Sequence, residues 1–299
     1  MVVGLVGCGR WGKHILRDLI ALGCEVPVVA RSEASRERAE EGGASAIVSR
    51  IDELPALDGA VVATTTSTHA IAIEELLGRG IPVFAEKPLT TDADTAARLA
   101  KAAPDTLFVM DKWRYHPAVS EIAAIARERR LGSVSGLTTV RLGWGVAHDD
   151  VDPVWVLAPH DASIALEVMG AVPRPRAAAA EMSAGSIVGL SALLDGPEFW
   201  HSFEVSARSP DRSRRIELHC EEGVVLLADA WDEHVTVYRN GTPEPEPERI
   251  QTPGELPLLA ELRVFVEHLR GGPPPRSSAA EGAAIVAALG ELRRMAGVA

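Results

Sequence analysis

The rhythm of apolar positions changes along the chain, and each rhythm predicts a different kind of element. In the first 110 residues short apolar runs alternate with segments of helical spacing. Val2-Val3-Gly4-Leu5-Val6 is followed by Ile15, Leu16, Leu19 and Ile20, a strand and then the stripe of a helix. The alternation returns with strands over residues 24–30, 47–48, 59–63, 81–86 and 106–110, and with helices over 35–41, 71–77 and 92–103. Apolar strands separated by helices predict a doubly wound parallel sheet, an α/β Rossmann-type domain. A helix (122–130) and a strand (135–142) come next, then an irregular stretch with His148, Asp149, Asp150 and Asp152, and a helix ending near Gly170.

From residue 176 the period falls to two. Strands are expected at 177–182, 186–194, 200–206, 214–220, 223–228 and 234–238, parted by Asp195-Gly196-Pro197, Pro210-Asp211, Glu222-Gly223 and Asn240-Gly241. This pattern predicts an open, mainly antiparallel sheet with one face buried and the other available. Residues 243–248 read as a stiff acidic connector. Leu258, Leu259, Leu262, Phe265, Val266 and Leu269 then mark an amphipathic helix, which Gly271-Gly272-Pro273 breaks before an Ala-rich terminal helix. The division expected is 1–112, an α/β dinucleotide-binding domain; 113–278, an α+β domain for substrate and self-association; and 279–299, the terminal helix.

Composition narrows the partners. A chain of 299 residues, 46% apolar, can bury a sizeable core, and no apolar run reaches the ~18 residues a membrane span needs. The first residues read as a strand with a glycine turn, not as a removable signal peptide, so a cytoplasmic location is expected. Cys8, Cys24 and Cys220 are odd in number and scattered, which argues against a disulfide framework or a metal site. A net charge of −12 disfavours nucleic acid and anionic membrane surfaces, though not a small anionic substrate.

The chemistry begins at Gly7-Cys8-Gly9-Arg10-Trp11-Gly12. A strand, a glycine turn and a helix N-terminus together present backbone N–H groups to a pyrophosphate. Gly7 permits the turn, Gly9 lets the phosphates approach, Gly12 lets helix and strand pack, and Arg10 and Trp11 lie in the loop. About 20 residues further on, a carboxylate normally binds the adenosine ribose. Here Ala30-Arg31-Ser32 stands there, with no carboxylate before Glu33. A guanidinium and a hydroxyl suit a 2′-phosphate. NADP is therefore favoured over NAD, the alternative being that Arg31 faces adenine or solvent and Glu33 reaches the ribose. Thr64, Thr65, Thr66, Ser67, Thr68 and His69 end the fourth strand at the sheet's ligand-binding edge, where hydroxyls line a ribose, cap the next helix through Ser67 or Thr68, or do both. The fifth strand delivers Glu86-Lys87-Pro88 to the same edge, and a lysine there can serve as acid, base or carbonyl polariser.

The glycine loop, the Thr-x-x-x-His element and Glu86-Lys87-Pro88 together resemble the Gfo/Idh/MocA oxidoreductase family, over nearly the whole chain. The resemblance implies that Glu86 and Lys87 lie on the nicotinamide side and that Lys87 is catalytic. It implies that Trp113, Arg114, Tyr115, His116 and Pro117 correspond to an Arg-Phe/Tyr-x-Pro element contacting substrate. It assigns His160 to a catalytic pattern of Asp, three residues, then His, on one helix face. The Asp position is Val156. Trp155, Leu157, Ala158, Pro159, His160 and Asp161 resemble the branch acting on nucleotide-linked amino sugars or uronates. Trp155 and Asp161 thereby join the substrate-binding candidates. The family also implies a homo-oligomer through the sheet's free face and a terminal helix packed on the dinucleotide domain. The function expected is NADP-dependent hydride transfer at a carbinol or keto carbon of a sugar derivative. The alternatives are a nucleotide-binding sensor or partner subunit without turnover, and a reductase of a non-sugar C=O or C=N group.

Overall fold

Six strands of three or four residues, nearly all buried, assemble the first sheet in the computed structural model, which describes residues 1–145, 150–241 and 246–298. They are β1 (Val3–Val6), β2 (Pro27–Val29), β3 (Ala46–Val48), β4 (Gly59–Val62), β5 (Val83–Glu86) and β6 (Leu107–Met110). All pair in parallel, in the order β3-β2-β1-β4-β5-β6. Helices α1 (Gly12–Ala21), α2 (Glu33–Glu41), α3 (His69–Gly78) and α4 (Ala93–Ala102) make the crossovers. The order reverses between β1 and β4, and at such a point the loops at the strands' carboxyl ends splay apart and open a ligand crevice.

The second sheet follows α5 (Pro117–Glu128). Its strands are β7 (Val134–Trp144), then, after α6 (Pro153–Met169), β8 (Arg174–Ser183), β9 (Ser186–Asp195), β10 (Trp200–Ser206), β11 (Arg208–Cys220), β12 (Gly223–Leu227), β13 (His234–Arg239) and β14 (Glu248–Gln251). Their order is β14-β13-β12-β11-β7-β10-β9-β8, antiparallel throughout except for the parallel pair β7 and β10. β11 starts at Arg208 because an irregularity between Arg208 and Ser213 hides its first residues from a strict alternation. β14 lies in the expected acidic connector, where it pairs with β13 despite its polar composition. His148, Asp149 and part of that connector fall outside the described residues.

The chain divides into two compact units, Met1–Lys112 with Leu256–Val286 and Trp113–Glu255 with Ala287–Ala299. This corrects the place of α7 (Pro257–Leu269), expected in the second domain and found in the first unit. Its apolar stripe says that a face is buried and not against what. The Phe265 ring sits 5.0 Å from Phe84 of β5, and Leu258, Leu262 and Val266 join the same core as Leu5, Ile15 and Phe108. α8 (Ala279–Met295) contributes residues to both units, so it is not the separate third part expected. Among the described residues no helix is long and apolar enough to cross a membrane.

One buried polar side chain in the second sheet has a pH consequence. His201 of β10 is 1% exposed, with Nε2 3.1 Å from Thr139 Oγ1, and burial pushes its imidazole down to about 3. A histidine depressed on folding is neutral in the native state and protonated once unfolded in acid. Its stability contribution is complete above the unfolded value of about 6.5 and falls by ~1.4 kcal/mol per pH unit below it. The loss continues until the pH reaches about 3. Urea midpoints between pH 7 and 4 should therefore decline less steeply in His201→Gln than in the wild type.

Candidate functional site

The glycine loop is built as its sequence demands. Gly7 has φ +98°, and a Cβ there would stand 2.7 Å from the Ala63 carbonyl oxygen. A Cβ on Gly12 would stand 2.3 Å from the Gly7 oxygen, so helix and strand approach more closely than any side chain permits. Gly9 faces open space, with nothing within 4 Å of such a Cβ. α1 begins directly after Trp11 with no side-chain cap and no acid in its first turn, so its dipole favours an anion there, while the Lys13 and His14 amides already donate to the Gly9 and Trp11 carbonyls. Arg10 is exposed in the same loop.

At the end of β2, Ala30 is buried while Arg31 and Ser32 are exposed. Ser32 caps α2 by accepting from the Ser35 amide at 3.2 Å. The Ser35 hydroxyl in turn accepts from the Cys8 amide at 3.2 Å, so the start of α2 is fastened to the glycine loop. Ser35 was not foreseen, since a serine one turn into a charged helix carries no motif.

The threonine run folds onto itself. Thr68 takes the N-cap position of α3 without a side-chain capping bond; its hydroxyl donates to Thr64 Oγ1 at 2.9 Å and lies 3.2 Å from Thr65 Oγ1. Thr66 is buried. His69 is 1% exposed, with Nδ1 2.9 Å from the Pro88 carbonyl and Nε2 3.2 Å from the Thr64 carbonyl. Its ring therefore braces the threonine loop against the Glu-Lys-Pro turn.

That turn is tied to the glycine loop. The Trp11 indole N–H donates to Glu86 Oε1, and the Lys87 amide donates to Glu86 Oε2 at 3.2 Å. The Lys112 ammonium lies 4.1 Å from the centroid of the Trp11 ring, a cation–π contact. Burial raises the Glu86 carboxyl, opposed by Lys87, Lys112 and the two hydrogen bonds. Glu86 and Trp11, both expected to meet the cofactor, thus spend polar atoms on each other and hold Lys87 between two loops of the sheet's binding edge. Lys112 was not foreseen, because a lysine after a strand has no distinguishing neighbour in sequence.

In the second unit an aromatic and cationic group surrounds Trp113. Its ring stacks on His116 at 5.1 Å and 12°, lies 6.4 Å from the half-buried His160, and carries the Arg141 guanidinium 4.5 Å above it. Arg141 forms a buried ion pair with Asp161, Nε to Oδ2, at 2.9 Å. His116 accepts from the Ala118 amide through Nδ1 at 3.2 Å and donates through Nε2 to the Ala230 carbonyl at 3.0 Å. Arg114 pairs with Glu167 at 2.9 Å, and Tyr115 is buried. Trp155 is buried, with the Arg293 guanidinium 5.5 Å from its ring. His116, Arg114 and Asp161 were expected to touch substrate; each is engaged with another part of the protein, as N-cap of α5, partner of α6 and anchor of β7. Trp113 and His160 do come together. The unforeseen member is Arg141, legible only as a charge at an inward position of a strand.

Residues 1–109 match the family model described as an oxidoreductase family with an NAD-binding Rossmann fold. Over that stretch the chain is similar to the Gfo/Idh/MocA oxidoreductases. The myo-inositol dehydrogenase of Streptomyces leeuwenhoekii is 31% identical over 147 residues, 47% of this chain and 45% of its own, so the match spans about half of each protein. Among solved structures, the UDP-N-acetylglucosamine 3-dehydrogenase of Acidithiobacillus ferrooxidans aligns with a TM-score of 0.85 at 21% identity, over 99% of this chain and 97% of that one. A 3-ketoreductase of Actinomadura kijaniata, in complex with TDP-benzene and NADP, aligns with a TM-score of 0.86 at 20% identity, over 99% and 97%. At these identities the likeness is one of fold. Val156 and His160 lie four residues apart on α6.

Proposed function

We propose that the protein is an NADP(H)-dependent oxidoreductase that moves a hydride between nicotinamide and a secondary carbinol or keto carbon of a sugar or sugar derivative. The observation that carries this is the linked first-unit edge: a glycine cradle closed to side chains, joined through Trp11 and Glu86 to Lys87. The names of the relatives support this substrate type, since inositol and a UDP-linked sugar present secondary ring hydroxyls and a 3-ketoreductase acts on a ketone.

The cradle fits a dinucleotide. With Gly7 fixing the turn through the hydrogen bond of its amide to the Val29 carbonyl, the backbone of residues 9–12 and the positive end of α1 would hold the pyrophosphate, Arg31 and Ser32 the adenosine side, and Lys87 would stand by the nicotinamide. When bound, the cofactor supplies or takes up the hydride. In oxidation Lys87 or His160 removes the proton of the substrate hydroxyl; in reduction one of them returns it to the oxygen. Donors held in place around that oxygen stabilise its developing charge without reorganising. Trp113, buried beside His160 and carrying His116 and Arg141 on its ring, would support His160 from within the protein. Trp200 and Leu193, 37% and 44% exposed on neighbouring strands β10 and β9, support self-association through the second sheet's uncovered face.

Two measurements test the reading. NADPH should bind more tightly than NADH, and Arg31→Ala should weaken NADPH binding by about 10–100-fold, the worth of one charge-assisted hydrogen bond of ~1.5–3 kcal/mol, while leaving NADH unchanged. Tighter NADH binding, with no effect of Arg31→Ala, would overturn the assignment of the second strand's end. Labelled NADPH incubated with ketosugars and ketocyclitols should transfer its hydride to at least one of them. Tight NADPH binding with no transfer to any would instead favour a nucleotide-binding sensor or partner subunit, the reading to which Val156 points.

A further inference from the structure

The face of the parallel sheet that α7 covers holds a carboxyl group with no part in the chemistry above. Alternate residues of a strand share a face, so Phe84 and Glu86 of β5 project together, in register with Phe108 and Met110 of β6. α7 runs opposite to these strands: Phe265 lies 5.0 Å from the Phe84 ring, and Leu269, one turn later, packs on Gly59 at the start of β4. Glu261 comes one turn before Phe265, ~6 Å along the helix axis. Glu86 comes one two-residue step after Phe84, about 6.7 Å along the strand. The packing therefore brings the Glu261 carboxyl to the level of Glu86, inside the protein.

Glu261 is 1% exposed, and its Oε2 accepts no hydrogen bond among the described residues. The charged groups facing it are Glu86 and Lys87 from the end of β5 and Asp111 and Lys112 from the end of β6. α1, which also packs on α7, contributes His14 beside the Trp11 ring. Three carboxyls thus stand against two ammonium groups. The corner carries one excess negative charge when all are ionised and none when one carboxyl holds a proton. Burial first, then Glu86 and Asp111, push Glu261 well above the usual carboxylate range, against the pull of Lys112 and Lys87. Glu86 also receives hydrogen bonds from the Trp11 indole and the Lys87 amide, which favour its ionised form.

We propose that Glu261 holds the proton of a buried Glu86–Glu261 carboxyl pair and, through Glu86, positions Lys87. This rests on the role given to Lys87 in the proposed function. A neutral Glu261 leaves Glu86 and Asp111 as the anions of the corner, matched by Lys87 and Lys112, with the two oxygens of Glu86 committed to Trp11 and the Lys87 amide. An ionised Glu261 adds a third anion behind Glu86, the one in excess of the two ammonium groups, and holds the Lys87 proton more tightly. Glu261 therefore sets the alkaline end of the range in which Lys87 exchanges protons.

The test compares the wild type with Glu261→Gln, which keeps the shape and the neutral state. Infrared spectra of the full protein at pH 7 should contain a protonated-carboxyl stretch that Glu261→Gln lacks. Trace acetylation followed by mass spectrometry of the Lys87 peptide gives the titration of that amine without turnover. Lys87 should become reactive at a pH about one unit lower in Glu261→Gln than in the wild type, the effect of one close charge. A merely structural Glu261 would change the unfolding midpoint and leave the Lys87 curve where it was. Coincident Lys87 curves, or a carboxyl stretch retained in Glu261→Gln, would overturn the proposal. If that variant did not fold, absence of the stretch from the wild type would do so. Neither readout uses cofactor or turnover, so failure of the oxidoreductase reading, seen as no hydride transfer, is distinguished from failure of this one.

Discussion

Lys87→Met should lower turnover by about 10²–10⁴-fold, the usual contribution of a positioned general acid or base. NADPH affinity should change far less, because the pyrophosphate cradle of the glycine loop, residues 7–12, is backbone. Methionine keeps the length of the side chain and removes the only group on it that carries a proton. The Lys87 amide continues to donate to Glu86 in the variant, so the turn keeps its hydrogen bond. Initial rates on whichever ketosugar accepts label, with NADPH binding by fluorescence, separate the two effects. Turnover within threefold of the wild type would remove Lys87 from the mechanism and leave proton transfer to His160.

Asp161→Ala should destabilise the second unit by about 3–5 kcal/mol, the cost of stranding one member of a buried ion pair. Asp161 and Arg141 are both almost fully buried, and Asp161 Oδ1 accepts nothing else among the described residues, so Arg141 loses its ion partner of 2.9 Å. Replacing both members, Arg141→Met with Asp161→Leu, should recover most of that loss, because no uncompensated charge remains. Urea unfolding read through tryptophan fluorescence measures it. Equal destabilisation in the single and double variants would mean that packing, and not charge, is what the pair provides.

What was legible in the sequence follows from how local each feature is. The glycine turn, the apolar strands and the helix stripes each depend on residues within one or two turns of each other. Gly7 and Gly12 announce their backbone requirement wherever they stand, and so do the Asp92 cap of α4 and the Gly170 end of α6. The assignment of side chains to a site was less secure, because it depends on what lies opposite. His69, Arg114, His116 and Asp161 carry groups suited to binding, and their distant neighbours engage them in holding the protein together. A buried polar group must find a partner, and periodicity does not say whether that partner is a ligand or a carbonyl far along the chain.

By itself the sequence determined the parallel α/β unit, the mainly antiparallel second sheet, the dinucleotide loop and the presence of Lys87 after the fifth strand. All of these arise from short-range spacing and backbone sterics. Only the tertiary structure decided that α7 returns to cover the first sheet, that β7 and β10 run side by side in parallel, that Trp11 bonds Glu86, and that Glu261 enters the core at the level of that same carboxylate. Those outcomes turn on pairings between residues more than fifty positions apart. An apolar stripe or a lone acid is compatible with many partners, and close packing of the whole chain selects among them.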